Sequence, residues 1–288
     1  KINAKNYGEA LQMEYRELGK TGERCSIIGL GCEHLDGKAF AQVQETIDAA
    51  LENGVNILDV FMPGQQVREN IAAAALSAGR RPEDITLVGA SKMNDTAACR
   101  EAIAAGIDAL GENRVQEMTQ KLAENAYDGA PLHFIGHLQR NKVKQVVGKV
   151  ALIESVGSYE LLEDIDRQAE KLGIVQPILL EVNVGGEEAK SGFAVSEVRA
   201  AAERAKSLSH VVLRGLMTIP PVAEGEHGSV PYFEKVHALY VDINASLYDN
   251  KLDILSMGMS GDYEDAVRCG ATMVRVGTAI FGARHYTL

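Results

Sequence analysis

Lys92 closes the run ITLVGASK, at the point where a buried strand would give way to a loop. An ammonium held beside an apolar layer is partly desolvated, which lowers its pKa and makes the amine a usable nucleophile for an aldehyde. Much further along, SMGMSGD and RVGTAIFG place glycines and hydroxyls just after two more apolar runs. Gly277 permits close backbone approach, and the amides of Gly277 and Thr278 can point at phosphate oxygens. Ser260 and Asp262 stand where DYEDAVRCG begins a helix, whose free amides also favour an anion. Taken singly, a solvated loop lysine and glycines kept for steric reasons explain each feature. A phosphate corner beside a strand-end lysine is more informative than either part.

The elements that must position these residues follow from the pattern. From Asp84 onward short apolar runs alternate with amphipathic stretches: ITLVGAS (85–91), DALGEN (108–113), LHFIGH (132–137), ALIESV (151–156), PILLEVN (177–183), VVLRGLM (211–217), DILSMGM (253–259) and TMVRVGT (272–278). Runs without strict alternation suit strands buried on both faces of a parallel sheet. Between them lie helices such as DTAACREAIAAG, with Asp95 as N-cap and Gly106 past its end, SYELLEDIDRQAEKLG, opened by Ser158 and closed by Gly173, and VSEVRAAAERAKSL. Eight strands alternating with helices is the count for a closed (β/α)8 barrel of the TIM type. Reactive residues in such a barrel gather where strands end, which singles out Lys92, Asn113, His137, Asn183, Thr218, Ser260, Arg275, Gly277 and Thr278. His133 and His137 share a strand face, but no Cys or carboxylate completes a ligand set, so packing or hydrogen bonding is expected and no metal. The stretch PPVAEGEHGSVP (220–231) reads as a mobile surface loop near the site.

Bulk properties exclude other classes. With 46% hydrophobic and 24% charged residues the chain of 288 is an ordinary globular sequence. Its net charge of -11 argues against a nucleic-acid partner. No apolar run is long enough to span a bilayer, and KINAKNYGEALQ lacks the apolar core of a signal peptide. Cys25, Cys32, Cys99 and Cys269 form no CxxC pair, so free thiols in a reducing cytoplasm are expected, with Cys99 packed inside a helix.

The stretches VRENIAAAA, PEDITLVGASK, GENRVQE, HFIGHLQRNKVK, EVNVGGEEAKSGF, RGLMTIPP, LSMGMSGD and MVRVGTAIFGARHY carry a family likeness. From about Val67 to Tyr286 the sequence resembles the pyridoxal-phosphate homeostasis protein family, YggS-like proteins with the alanine-racemase type of barrel. The resemblance implies that Lys92 forms the internal aldimine with pyridoxal 5′-phosphate (PLP). It also implies that Ser260, Gly277 and Thr278 cradle the phosphate, that Arg275 faces the pyridine nitrogen and that Asn113 lies near the cofactor. Lys190, in the EEAKSGF loop, is expected to be solvated or salt-bridged rather than to deliver PLP. A cation against the ring nitrogen disfavours its protonation and weakens the cofactor as an electron sink. In alanine-racemase-like enzymes a second base comes from an additional C-terminal β-domain of a partner subunit; ten residues follow Thr278 here, and no such domain is expected. The implied function is a cytoplasmic PLP carrier, not an enzyme. It would hold its cofactor as a Schiff base without turnover and supply apo PLP-dependent enzymes, as a monomer or weak homodimer. The alternative is a PLP-dependent amino-acid racemase of narrow scope.

The head of the chain is different. Residues 13–70, with MEYRELGKTG, IIGLGCEHL and NGVNILDVFMPGQQVREN, resemble the start of an aldo-keto reductase. Asp59 matches the acidic member of that family's catalytic tetrad, but Phe61, Met62, Pro63 and Gly64 follow where a tyrosine is expected, so an NADPH-dependent reductase is the weakest reading. The pattern predicts a hairpin turning at Lys20-Thr21-Gly22, strands at IIGLG and VNILDVF, and a helix between them whose Phe40, Val43, Ile47, Ala50 and Leu51 share one face before Gly54 stops it. A closed barrel has no room for further strands. The chain therefore reads as a fusion or chimera, with an extension over 1–62 and a PLP-binding barrel over 63–288. The apolar helix face of the extension is left to pack on the barrel exterior or a second copy, or to stay partly disordered.

Overall fold

A computed structural model describes residues 13–19, 21–32, 35, 38–59, 63–187, 190–222, 225 and 227–282. The chain divides into two compact units, Lys1–Met62 and Pro63–Leu288. In the first, β1 (Tyr15–Glu17) and β2 (Arg24–Ser26) form an antiparallel hairpin with Tyr15 opposite Ser26. The Leu18 amide donates to the Glu23 carbonyl at 2.8 Å across the turn, of which Lys20 lies outside the described residues. Next, β3 (Leu30–Gly31) pairs in parallel with β4 (Leu58–Asp59), and α1 (Phe40–Glu52) lies between them in sequence. Among the described residues both strands are two residues long, shorter than IIGLG suggested, and residues 60 and 61 of VNILDVF lie outside the described set. The helix forms where expected but buries none of its side chains.

The second unit runs α2 (Pro63–Ser77), β5 (Thr86–Ala90), α3 (Thr96–Ala104), β6 (Ala109–Glu112), α4 (Val115–Ala123), β7 (Leu132–Phe134), α5 (Val143–Val146), β8 (Leu152–Val156), α6 (Tyr159–Leu172), β9 (Gln176–Asn183), β10 (Phe193–Ala194), α7 (Val198–Ser207), β11 (Val211–Thr218), α8 (Val230–Leu247), β12 (Ile254–Ser256), α9 (Tyr263–Arg268), β13 (Met273–Val276) and α10 (Thr278–Phe281). Each of the eight apolar runs carries one strand. Strands β5, β6, β7, β8, β9, β11, β12 and β13 pair in parallel in that order, and β13 pairs back onto β5 to close the barrel. The strands of the first unit form two small sheets of their own. A short addition, β10, lies in parallel on the end of β9; the segment SGFAVS has no apolar run that would announce it. The loop over 220–231 ends sooner than its composition suggested, since Val230 and Pro231 open α8; a proline at a helix start forfeits no intrahelical bond. Residues 223, 224 and 226 lie outside the described set.

Two periodic faces explain the core. Val88, Ala109, Leu152, Leu179, Met217 and Met273 form one small cluster. Their immediate neighbours Leu87, Leu110, Ile153, Leu180, Leu216 and Val274 belong to a larger cluster shared with the helices. Successive strand residues point to opposite faces, so the first set fills the barrel interior and the second packs under the helical ring. Two of the helices, α3 and α6, carry side-chain caps: the Asp95 carboxylate accepts the Ala98 amide at 2.9 Å, and Ser158 Oγ accepts the Leu161 amide at 3.2 Å. Gly173, at φ 66°, takes the left-handed conformation that ends α6, where a β-carbon would be strained.

Candidate functional site

The interior parity of β5 runs Val88, Ala90, Lys92, so the strand carries Lys92 to the C-terminal mouth of the barrel, where it is half-buried. The chain turns at once: the Asn94 amide donates to the Ser91 carbonyl at 3.1 Å, Asn94 Nδ2 donates to the Lys92 carbonyl at 3.2 Å, and Met93 adopts φ 65°.

The strand beside β5 is β13, with Val276 opposite Gly89. That register sets Gly277 next to Ala90, and a β-carbon on Gly277 would lie 3.4 Å from the Ala90 carbonyl oxygen. The glycine corner and the lysine turn thus leave adjacent strands on the same end of the barrel. At the corner, Ser260 Oγ accepts the amides of Gly277 at 3.2 Å and Ala279 at 3.4 Å. Thr278 is exposed and opens α10. Asp262 stands at the N-cap of α9 but makes no side-chain bond to that helix's amides; its carboxylate accepts the Met259 amide at 2.7 Å and the Ser229 hydroxyl at 2.9 Å.

Below this corner Arg275 is buried in the barrel. Its Nη1 donates to Ser256 Oγ at 2.5 Å, its Nη2 donates to the Thr218 carbonyl at 2.9 Å, and Glu154 Oε2 lies 3.9 Å from Nη1. Ser256 Oγ in turn donates to Glu154 Oε2 at 2.6 Å, and His133 Nδ1 meets Glu154 Oε1 at 2.8 Å. Burial lowers the Arg275 pKa from its ordinary value, against the pull of Glu154, Glu181 and Asp262. For Glu154 burial works upward, but His133, Arg275 and Ser256 together hold its carboxyl below the usual range. A cation on β13 held by groups from β12, β11 and β8 is the result. Thr218 serves through its carbonyl, while its hydroxyl donates to the Val182 carbonyl at 2.8 Å.

Asn113, just past β6, has a buried Oδ1 with no hydrogen-bond partner among the described residues. A β-carbon on Gly136 would come within 2.3 Å of the Asn113 carbonyl oxygen, so glycine there lets the end of β7 close against it. An amide corner, a fixed interior cation, an unsatisfied buried acceptor and a lysine on the neighbouring strand fit a ligand bearing a phosphate, a ring nitrogen and an aldehyde. PLP has all three.

His133 is hydrogen-bonded and His137 exposed, and no group of metal-ligating side chains exists among the described residues. Lys190 Nζ pairs with Glu187 at 2.5 Å. The four cysteines are free and Cys99 is buried, which pushes its thiol pKa up. No described helix is long and apolar enough to cross a membrane. The carboxylates of Glu112, Glu154 and Glu181 went unremarked in the sequence. Their signal was there, a glutamate inside each of the apolar runs DALGEN, ALIESV and PILLEVN. Glu181 is buried, with Oε1 accepting the Ser191 hydroxyl at 2.9 Å and Oε2 unpartnered among the described residues, and burial raises its pKa.

A closed (β/α)8 barrel with a lysine after its first strand and a glycine corner after its eighth defines the class: residues 64–285 match the family described as alanine racemase, N-terminal domain. Within it, the chain belongs to the pyridoxal phosphate homeostasis protein family. It is 43% identical over 221 residues to the pyridoxal phosphate homeostasis protein of Aquifex aeolicus, covering 77% of this chain and 96% of that relative. Identity to the protein of the same name from Escherichia coli K12 is 38% over 227 residues, covering 77% and 95%. Among solved structures, PipY of Synechococcus elongatus with PLP bound superposes with a TM-score of 0.64 at 35% identity, covering 74% of this chain and all of that one. A Clostridium difficile alanine racemase, at 19% identity and a TM-score of 0.58, shares the fold. The aldo-keto reductase likeness of residues 13–70 finds no support in these matches, and the family match begins at residue 64.

Proposed function

We propose that this protein binds PLP covalently through Lys92 in its barrel unit and serves as a carrier of the cofactor, without turnover. The observation that carries the reading is the β5–β13 register, which sets the Lys92 turn beside the Gly277 corner. Relatives named for PLP homeostasis and the PLP-bound PipY structure support it. When bound, PLP supplies an aldehyde that condenses reversibly with an amine. The Lys92 amine takes that aldehyde, while Ser260 and the backbone of Gly277 and Thr278 hold the phosphate at the corner. Asn113 lines the mouth. Arg275, locked by Ser256 and Thr218, presents a cation to the ring nitrogen and disfavours a proton there, which blunts the electron withdrawal that turnover needs. A reversible link at the end of a barrel suits release to apo PLP-dependent enzymes in the same cytoplasm. Adding PLP to the purified protein should raise a visible absorption band that borohydride abolishes. Lys92→Ala should lose the band yet keep weaker binding, because the corner consists largely of backbone amides. Racemisation of free amino acids over many turnovers would refute the carrier reading.

A further inference from the structure

Behind the Lys92 turn, on the helical side of the barrel wall, lies a buried lysine that the proposed site does not use. Lys121, on α4, donates from Nζ to the Ser91 carbonyl at 2.8 Å, to Glu112 Oε1 at 2.7 Å and to Glu117 Oε1 at 2.8 Å. An ammonium has three hydrogens, and each has an acceptor here. Burial works to lower its pKa, but the bonds to Glu112 and Glu117 hold it above the ordinary value, while burial pushes the Glu112 carboxyl up. The two carboxylates reach the same turn. Glu117 Oε1 accepts the Met93 amide at 2.5 Å, and Glu112 Oε1 accepts the Ser91 hydroxyl at 2.7 Å. The backbone is thus gripped on both sides of Lys92, at the carbonyl before it and the amide after it. Met93 needs that grip, since φ 65° is a conformation that a side-chain-bearing residue rarely adopts unaided.

Buried ion pairs are a poor source of stability, because desolvation offsets most of their attraction, but they can select one conformation over others. We propose that Lys121 is a positioning residue for Lys92. It holds the Ser91 carbonyl directly and the Met93 amide through Glu117, which keeps the turn in the form from which the Lys92 amine meets an aldehyde. The proposal rests on the reading of Lys92 given above.

The test uses the full chain and two probes: PLP, whose covalent attachment is followed by absorbance, and pyridoxamine 5′-phosphate, which has no aldehyde and reports the phosphate and ring contacts alone. Lys121→Met keeps the stem and removes the donor. It should slow covalent attachment at least tenfold while changing pyridoxamine 5′-phosphate affinity less than twofold. Glu117→Gln retains an acceptor for the Met93 amide and should fall within threefold of the parent rate, whereas Glu117→Ala should slow attachment as Lys121→Met does. Should Lys121→Met fail to fold, the contrast between the two Glu117 variants decides alone. Parental rates in Lys121→Met or Glu117→Ala, or equal losses for both probes, would overturn the proposal. Borohydride labelling of the parent separates the two levels: a label away from Lys92 defeats both readings, and a label on Lys92 with unchanged variant rates defeats this one only.

Discussion

Phe40 and Phe134 are the same side chain in two regions of one molecule. Phe40 opens α1 at 81% exposure, whereas Phe134 sits in β7 at 0%. The contrast is general: among the described residues of the first unit, Ser26 and Val55 alone are buried, while the barrel unit holds two layered clusters. The first unit is held instead by polar bonds. The Ser26 amide donates to Asn56 Oδ1 at 2.7 Å, the Asn56 amide to Ser26 Oγ at 3.1 Å, and Asn56 Nδ2 to the Arg24 carbonyl at 2.9 Å. Both regions have apolar periodicity of the right kind. Periodicity makes an element; burial requires closure, and a sheet that returns on itself supplies it.

The largest expected effect lies in the barrel core. Phe134→Ala should destabilise by roughly 3–5 kcal/mol, as for other buried phenylalanines, in chemical denaturation of the barrel transition. Phe40→Ala should stay within about 0.5 kcal/mol in the same experiment, and a cost above about 2 kcal/mol there would break the comparison. The polar interior comes next. Glu154→Gln removes a charge that His133, Ser256 and Arg275 surround, and hydrogen bonds to charged groups put the loss at roughly 1.5–3 kcal/mol near neutral pH. The sign in pH follows from its lowered folded pKa. Its contribution is fully present above the ordinary value of 4.5 and is lost as pH falls through the lower folded value, so the variant should flatten the acid limb of the stability profile. A steeper acid limb in the variant would contradict that assignment. The smallest effect on the site should come from removing the first unit altogether. A chain starting at Pro63 should stay soluble, keep its helical circular dichroism and bind PLP as the full chain does, with at most a few degrees lost in Tm. Aggregation with loss of PLP would mean that the eight strands do not suffice.

Much of the barrel was legible because its strands are buried on both faces and so read as unbroken apolar runs. Asp95 and Ser158 announced their helices for an equally local reason, a side-chain oxygen within reach of the amide three residues on. What escaped was non-local. Arg275 finds its partners on β12, β11 and β8, and Lys121 on an amphipathic helix looks solvated until Glu112 arrives from β6. Lys92 and Gly277 could be named from the sequence, but their adjacency belongs to the closure of β13 on β5, which no local pattern encodes. In the first unit the opposite happened: the face of Phe40, Val43, Ile47, Ala50 and Leu51 was legible, yet none of these side chains is fully buried.

The most direct test of the division between the two regions is covalent. The full chain, loaded with PLP, reduced with borohydride and digested, should carry the pyridoxyl mass on the peptide containing Lys92 and on no other. A label on Lys38 of the first unit, or on Lys190 of the β9 loop, would contradict the assignment of the site to the end of β5.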